Sequence, residues 1–193
     1  MTEKEVYQFY NDHVKIIYSE IEAAGNHLPV ELLFEIHSAF DHLKRIYVDG
    51  LSEDKCCEKA FSHLKRGALD AYKLKLKYFN VNYQALLGKS IKDLRLVDNG
   101  EFLPKAIRAC NEIMTVAKNA RLNEGNYDVE AAFEKWYEAS LLITEFESTY
   151  FDESKLRWAK ATSLRQGIIG VIIGLVVGVT ASIVAGLILG YLG

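Results

Sequence analysis

Proline is almost absent from this chain, with Pro29 and Pro104 the only two among 193 residues. A proline inside a helix removes a backbone donor and clashes with the preceding turn, so its scarcity leaves long stretches free to be helical. Apolar residues recur three and four positions apart, and no part of residues 1–165 shows the sustained alternation that is typical of strands. The sequence therefore predicts an all-α fold.

Motifs of enzymes and metal sites are also missing. The three cysteines, Cys56, Cys57 and Cys110, lack metal-ligand spacing, and we interpret them as small apolar residues at or near the core. A net charge of −3 excludes a global positive field that recruits nucleic acid. The chain has no HExxH, no CxxC, no Ser/His/Asp constellation and no phosphate-cradling glycine loop. We expect neither an enzyme nor a cofactor nor a metal, and no small-molecule substrate is evident.

Small residues are abundant near the end of the chain. The stretch 167–192 is uncharged and otherwise mostly Ile, Leu, Val and Ala. As a helix it measures roughly 39 Å, which exceeds the roughly 30 Å hydrocarbon core of a bilayer. Small residues at every fourth position form one ridge of that helix, the small-residue ridge: Gly170, Gly174, Gly178, Ser182, Gly186 and Gly190. Such a ridge lets helix backbones approach closely in lipid, which predicts a membrane helix that associates with a neighbouring helix.

The charges beside this stretch predict its orientation. Basic residues precede it and none follows it: Lys155, Arg157, Lys160 and Arg165. The opening residues MTEKEVYQFYNDH are typical of neither a signal peptide nor a transit peptide. By the positive-inside rule we expect residues 1–165 to form a cytoplasmic helical domain and residues 166–193 to form a single transmembrane helix in the inner membrane, as in a C-terminal tail anchor. Trp158 and Tyr191 are expected to anchor the two interfaces.

Hydrophobic spacing predicts the helices of the cytoplasmic domain. They cover residues 3–24, 29–49, 52–87 and 101–123, and residues 88–100 are expected to form a loop. From residue 128 the pattern is compatible with one rod that runs on into the membrane helix. His13 lies on the apolar face of the first helix and is expected to be a hydrogen-bonded core residue. The expected buried stripe of the second helix is Leu32, Ile36, Phe40, Leu43 and Tyr47.

One segment of the second helix recurs on the third. Ala39–Arg45 reads AFDHLKR and Ala60–Arg66 reads AFSHLKR, identical at six of seven positions. At about 100° per residue, Phe and Leu of each copy fall on the core side, and His and Arg on the opposite side. In an antiparallel hairpin the two copies can face each other around a local pseudo-twofold axis. The candidate polar cluster is then His37, Asp41, His42, Arg45, His63, Arg66 and Asp70.

Three interpretations of this cluster stay open: a satisfied polar seam between helices or subunits, a site for phosphate or RNA, and a catalytic site. Arg and His together offer cationic donors that match phosphate oxygens. Basic residues are also concentrated in residues 65–95 and acidic residues in 128–154. These two regions either pack against each other or leave a basic surface exposed to an anion or to nucleic acid.

The repeated glycines also allow more than one function. Each glycine weakens a helix in water by roughly 1 kcal/mol relative to alanine, so their repetition indicates a packing role beyond plain anchoring. A ridge that crosses the whole bilayer suits a ring in which each helix has two neighbours, around a lumen lined by backbone, Thr180 and Ser182. The alternatives are a dimerising or scaffolding anchor, such as an adaptor that localises a cytosolic partner, and a helix that docks onto another membrane protein.

The segment EIHSAFDHLKR at residues 35–45, the all-α pattern and the single span together resemble small prokaryotic antiviral accessory proteins. Among these, the chain is similar to the HEPN-like membrane-pore proteins that accompany the RNA-guided RNase of type VI-B CRISPR systems. Active HEPN nucleases carry an Arg separated from a His by four to six residues, and no histidine of this chain has an Arg at that spacing. The resemblance therefore implies a degenerate, non-nucleolytic HEPN-like domain.

The resemblance also implies a function and partners. The protein would assemble as a ring in the inner membrane and permeabilise it during phage infection. Its partners would be copies of itself, the lipid bilayer, and a CRISPR RNase or an RNA signal. The remaining alternative is a membrane-tethered HEPN-like RNase that uses His42, Arg45, His63 and Arg66.

Overall fold

The structure is a computed structural model that describes the backbone of residues 1–26, 29–95 and 97–192, with the side chains of 88–92, 153, 156 and 183–192 outside the description. The described chain is helical throughout and contains no strand, so the predicted all-α fold is confirmed. The helices in chain order are α1 (Glu3–Phe9), α2 (Lys15–Gly25), α3 (Val30–Val48), α4 (Glu53–Leu94), α5 (Phe102–Gly125), α6 (Val129–Tyr150) and α7 (Glu153–Leu192).

Short turns and caps connect these helices. A π-helical turn, Tyr10–Val14, joins α1 to α2 without a break, so the predicted first helix is confirmed with one widened turn inside it. Thr2 and Glu5 form a reciprocal capping box at the start of α1. Asn26 adopts a left-handed conformation with φ of 48° and ends α2. A 3₁₀ turn, Val97–Gly100, precedes α5.

The long helix α4 is the centre of the body. It packs against α1, α2, α3, α6 and the start of α7, while α5 packs chiefly on α6. The largest apolar cluster lies along its first half and includes Ile17, Leu32 and Trp136. Smaller clusters continue along its second half, first around Phe79 and Phe146 and then around Leu94. Burial along its whole length explains why this helix is 42 residues long.

Two predictions about helix ends are wrong. The expected loop at 88–100 is mostly helix, because α4 continues to Leu94, which is fully buried with Phe102 and Ala159 of α5 and α7. The expected single rod from residue 128 is interrupted at Phe151 and Asp152, between α6 and α7. The Asp152 carboxylate accepts a hydrogen bond of 2.8 Å from the backbone N–H of Ser154, which is how an N-cap starts a new helix.

The predicted buried stripe of α3 is wrong at two positions. Leu32 and Leu43 are buried, but Phe40 is 70% exposed and Tyr47 is 75% exposed. The helix packs chiefly on α4, so a stripe as wide as the predicted one extends past the contact. In the second copy of the repeat, by contrast, Phe61 packs on Phe9 of α1 with ring centroids 4.6 Å apart.

The last helix leaves the body after its first turns. Ala159 is buried, and the large apolar side chains described beyond it are exposed. The stretch Arg157–Ser182 is long and apolar enough to cross a membrane, with a mean hydropathy of 1.9, and none of its 18-residue apolar window is buried in the body. The prediction of one long apolar helix in this region is confirmed.

Candidate functional site

The repeated segments face each other in an antiparallel hairpin of α3 and α4. Ala39 and Ala60 are buried between the two helices. About two turns further along α4, Gly67 marks their close approach: a Cβ built there lies 2.8 Å from Leu32 Cδ1 and 2.9 Å from Glu35 Cβ. The absence of a side chain at Gly67 therefore lets Glu35 lie directly over α4.

Glu35 organises the polar residues of this hairpin. Its Oε2 lies 2.6 Å from Nδ1 of His63, and its Oε1 forms an ion pair with Arg66, whose Nε is 3.0 Å away. Nη2 of Arg66 also lies 3.0 Å from this Nδ1. A carboxylate only accepts and a guanidinium only donates, so Nδ1 hydrogen-bonds to one of the two, and the short contact with Glu35 favours Nδ1 as a donor. The rings of His42 and His63 stack with centroids 5.2 Å apart. The four side chains, Glu35, His42, His63 and Arg66, are called the hairpin cluster below.

The surroundings of His42 favour its neutral form. Burial lowers the pKa of His42, and electrostatic interactions with His63, Arg45 and Lys59 lower it further, whereas Asp41 acts in the opposite direction. The Glu35 carboxylate contacts both His63 and Arg66. These contacts link α3 to α4 through a polar seam within one chain.

The structure separates the other predicted members from this cluster. Arg45 pairs with Asp41 on its own helix, with Nη2 2.7 Å from Oδ2. Asp70 lies 3.4 Å from Lys73 and lines a different groove, of about 690 Å³. His37 is exposed on α3. Of the seven predicted residues, His42, His63 and Arg66 come together, and Glu35 joins them.

The small-residue ridge of α7 is open along its described part. A Cβ built at Gly170, Gly174 or Gly178 has no atom within 4 Å. A shallow groove runs over the ridge, lined by Gly174, Leu175, Gly178, Val179 and Ser182. Gly186 and Gly190 continue the ridge on the α7 backbone, but their surroundings lie outside the described residues, as does the side chain of Tyr191. The described ridge is accessible to another helix.

The two hydroxyls near this ridge are satisfied within α7. Thr180 donates to the carbonyl of Val176 over 2.9 Å, and Ser182 donates to the carbonyl of Gly178 over 2.9 Å. A hydroxyl bonded to its own helix needs no other donor or acceptor, so it is compatible with hydrocarbon.

A buried charge inside the body was missed from the sequence. Lys75 of α4 is 7% exposed. Its ammonium donates to Glu20 of α2 over 2.8 Å and to Thr144 of α6 over 2.6 Å, and its third donor faces the Ser140 carbonyl at 3.0 Å. The helical spacing indicates that Lys75 is on a buried face, because it lies one turn from a buried residue on each side, Ala71 and Phe79.

His13 is a hydrogen-bonded core residue, as predicted, and it lies in the π-helical turn. Its Nδ1 is 3.0 Å from the hydroxyl of Tyr72, and the ring of Tyr137 meets it edge-on. Burial lowers the pKa of His13 and raises the pKa of Tyr72, so the hydroxyl donates to a neutral imidazole. A cavity of about 50 Å³ adjoins this pair, well below the roughly 300–1,000 Å³ of small-molecule sites.

The basic and acidic segments meet at one ion pair on the described surface between α4 and α6, formed by Lys65 and Glu130. Within the described residues, no group of three or more His, Cys, Asp or Glu side chains is arranged to hold a metal ion. Comparisons of the chain with protein families, with curated proteins and with solved structures found no match. A function for this chain therefore has to be argued from its own geometry.

Proposed function

We propose that this chain is a single-pass protein of the inner membrane that assembles with copies of itself through α7 and forms a pore. In this proposal the helical body lies in the cytoplasm, and the pore is an effector of antiviral defence. The defence role and the HEPN-like character rest on the resemblance of residues 35–45, of the overall length and of the single span. The membrane role rests on the properties of α7.

The observation that carries the proposal is the complete exposure of an apolar helix. Eleven large apolar side chains of α7, from Trp158 to Val179, are each more than half exposed. Exposed apolar surface costs about 25 cal/mol per Å² in water, so α7 is unfavourable in a free monomer. A bilayer removes that cost, and the uncharged stretch 167–192 of α7 enters it without an ionic penalty.

The ridge supports self-association within the bilayer. Lipid tails are as apolar as Leu, so hydrophobicity alone does not pull two membrane helices together. Close backbone approach along Gly170, Gly174 and Gly178 supplies packing contacts instead, and the open groove leaves room for them. A ridge of this length offers each helix a continuous contact with a neighbour, which suits a ring around a lumen.

Replacement of the ridge glycines tests the proposal. In Gly174→Leu/Gly178→Leu, the new side chains fill the groove, so we expect monomers in detergent and no depolarisation of cells. The matched control is Ile172→Leu/Val176→Leu, because both positions lie on the opposite side of α7. We expect this variant to form a particle of wild-type mass. The mass of the detergent-solubilised particle and a membrane-potential dye are the readouts. A double glycine variant with the wild-type mass contradicts assembly through the ridge.

A second candidate function, an adaptor that localises a cytosolic partner, is favoured by exposed aromatic residues of α3. Phe34, Phe40 and Tyr47 are each about 70% exposed on this one helix, and exposed aromatic residues are common anchors of protein interfaces. An unrelated transmembrane segment in place of α7 separates the two functions. An adaptor keeps its activity after the exchange, whereas the pore proposal expects the activity to be lost.

We also propose that the hairpin cluster does not cleave RNA. His63 is oriented by Glu35, but Arg45 is paired with Asp41 and the HEPN nuclease spacing is absent. We expect RNA to stay intact when it is incubated with the purified chain under conditions in which a known nuclease cuts it. Cleavage that disappears in His63→Ala contradicts this expectation and supports a membrane-tethered RNase.

A further inference from the structure

The first turns of α7 combine basic and apolar side chains at the place where this helix leaves the body. Lys155, Lys160 and Arg165 are exposed there, and so are Trp158 and Leu164. We name these five residues the juxtamembrane collar. Asp152, just before α7, interacts with the charge of Lys155, and Glu153 is the first residue of the helix. From residue 154 to residue 193 the sequence contains no Asp or Glu, so α7 has no carboxylate beyond its first residue.

Contacts of α7 with the body determine which side of the collar faces outward. Ala159 is fully buried in a cluster with Leu86, Leu94 and Phe102, which places it against the ends of α4 and α5. At about 100° per residue, Trp158, Lys160 and Arg165 each lie 100° or more around the helix from Ala159. Their side chains therefore project away from the body, in agreement with the 55% exposure of Trp158.

Other charges at this end of the body do not compensate the collar. Glu101 of α5 pairs with Lys105 at 2.6 Å, so its carboxylate is already engaged. Arg95, at the end of α4, is exposed and adds a further positive charge. Asp98 is the exposed carboxylate of the intervening turn. The described surface around the exit of α7 is thus predominantly basic.

We propose that the juxtamembrane collar binds the phosphate groups of anionic phospholipids at the cytoplasmic surface of the membrane. The proposal rests on the proposed function, because it requires α7 to span the bilayer. Lys and Arg match phosphate oxygens by charge-assisted hydrogen bonds, and their aliphatic stems cover apolar surface while the charged ends reach the headgroups. Trp158 and Leu164 occupy the same turns, and an amphipathic aromatic ring is favoured at that depth.

The collar assigns a lipid preference to this protein. Each basic side chain near an anionic membrane surface favours binding roughly fivefold. Lys160 and Arg165 together therefore give a preference on the order of 25-fold for anionic over zwitterionic lipid among the lipids in contact with α7. The attraction is electrostatic, so salt weakens it.

The two tryptophans of the chain make this preference measurable. Trp136 is 1% exposed in the core of the body, whereas Trp158 is in the collar. The full chain is reconstituted into vesicles of phosphatidylcholine and phosphatidylglycerol. In one sample the phosphatidylglycerol carries bromine on its acyl chains, and in the other an equal mole fraction of brominated phosphatidylcholine is present. We expect brominated phosphatidylglycerol to quench tryptophan fluorescence more strongly than brominated phosphatidylcholine, and Trp158→Phe to remove the quenching.

Charge variants complete the test. We expect Lys160→Gln/Arg165→Gln to equalise quenching by the two lipids, while Lys59→Gln/Lys118→Gln, which removes two exposed charges from the body, keeps the difference. Equal quenching in the wild-type chain, or an unchanged difference in Lys160→Gln/Arg165→Gln, overturns the lipid proposal and leaves the span intact. No quenching by either lipid overturns the span itself, so the two failures are distinguishable.

Discussion

Lys75 joins three helices of the body through a single ammonium group. Its donors reach α2 at Glu20 and α6 at Thr144 and Ser140, and these partners are 55 to 69 residues away in the chain. A buried ammonium is stable only when its charge and its donors are matched, as they are here. Lys75 therefore specifies how the first helices dock on the rest of the body.

We expect Lys75→Met to lower the free energy of unfolding by about 3 kcal/mol, because the partly buried Glu20 carboxylate loses its cationic partner and keeps only the Thr144 hydroxyl as a donor. The matched control is Lys77→Met on the same helix, where the side chain is exposed and the change stays within about 0.5 kcal/mol. Denaturant unfolding in detergent measures both. In Glu20→Gln/Lys75→Met we expect part of the loss to be recovered, and additive losses contradict a direct coupling of the two charges.

His13 makes stability depend on pH. Its pKa is lowered by burial from an ordinary value of 6.5, while Asp12 and Glu134 act weakly in the opposite direction. The folded protein therefore keeps His13 neutral at pH values where the unfolded chain has taken up a proton. The stabilisation is fully present above pH 6.5 and declines as the pH falls from there towards the folded pKa.

The prediction is that the free energy of unfolding decreases as the pH is lowered from 7 to about 5, and that His13→Phe reduces this slope. Phenylalanine keeps the ring contacts with Phe133 and Tyr137. The quantity compared is the pH dependence of the free energy of unfolding in the two proteins, not its absolute value. His42, whose pKa is also lowered, retains part of the slope in the variant. Glu147 has a raised pKa and contributes with the opposite sign in the acidic range. Identical slopes in the two proteins contradict the assignment to His13.

At the scale of helices, the hairpin of α3 and α4 depends on the close approach at Gly67. A methyl group there needs a shift of Leu32 and Glu35, and overpacking of this kind costs about 1–3 kcal/mol. The higher helix propensity of alanine offsets up to about 1 kcal/mol of this cost. We expect Gly67→Ala to lower the free energy of unfolding by about 1 kcal/mol net, measured by denaturant unfolding.

Gly125→Ala is the matched control, because nothing lies within 4 Å of a Cβ at the end of α5. It is expected to be neutral or slightly stabilising. A Gly67→Ala variant as stable as Gly125→Ala shows that the hairpin relaxes without cost. Because Glu35 lies over Gly67, a shift of α3 also moves the partner of His63 and Arg66.

The errors at helix ends have one physical origin. Gly88 and Ser90 lower local helix propensity, and the sequence favoured a loop there, but burial of Leu94 against α5 and α7 stabilises the longer helix. At Phe151 and Asp152 the local pattern permits a continuous helix, and the break allows α7 to place Ala159 against α4. In both cases packing between distant segments overrides a local preference.

At the scale of the whole molecule, the exposed apolar helix predicts how the protein behaves with membranes. We expect the chain to stay in the membrane fraction after alkaline carbonate washing. In Ile172→Asp/Val176→Asp the two charges cost about 2.5–3.5 kcal/mol each within the hydrocarbon, so this variant is expected in the supernatant. Ile172→Leu/Val176→Leu is again the control. Release of the wild-type chain by carbonate contradicts a membrane span.

The sequence by itself determined the all-α class, most helix positions, the apolar stretch of α7 and the position of its small-residue ridge. These features follow from the spacing and composition of residues along the chain. Apolar residues every three or four positions form one face of a helix, wherever that helix lies in the fold. The repeat also placed His42 and His63 opposite each other, since an antiparallel hairpin aligns two identical segments.

Only the tertiary structure decided which charged groups meet. Glu35 reaches His63 across 28 residues, and Lys75 reaches Thr144 across 69. The same fold left Arg45 with Asp41 on its own helix, and it left Phe40 exposed while it covered Phe61. A contact of this kind depends on the crossing point and rotation of two helices, and the packing of the whole core sets both.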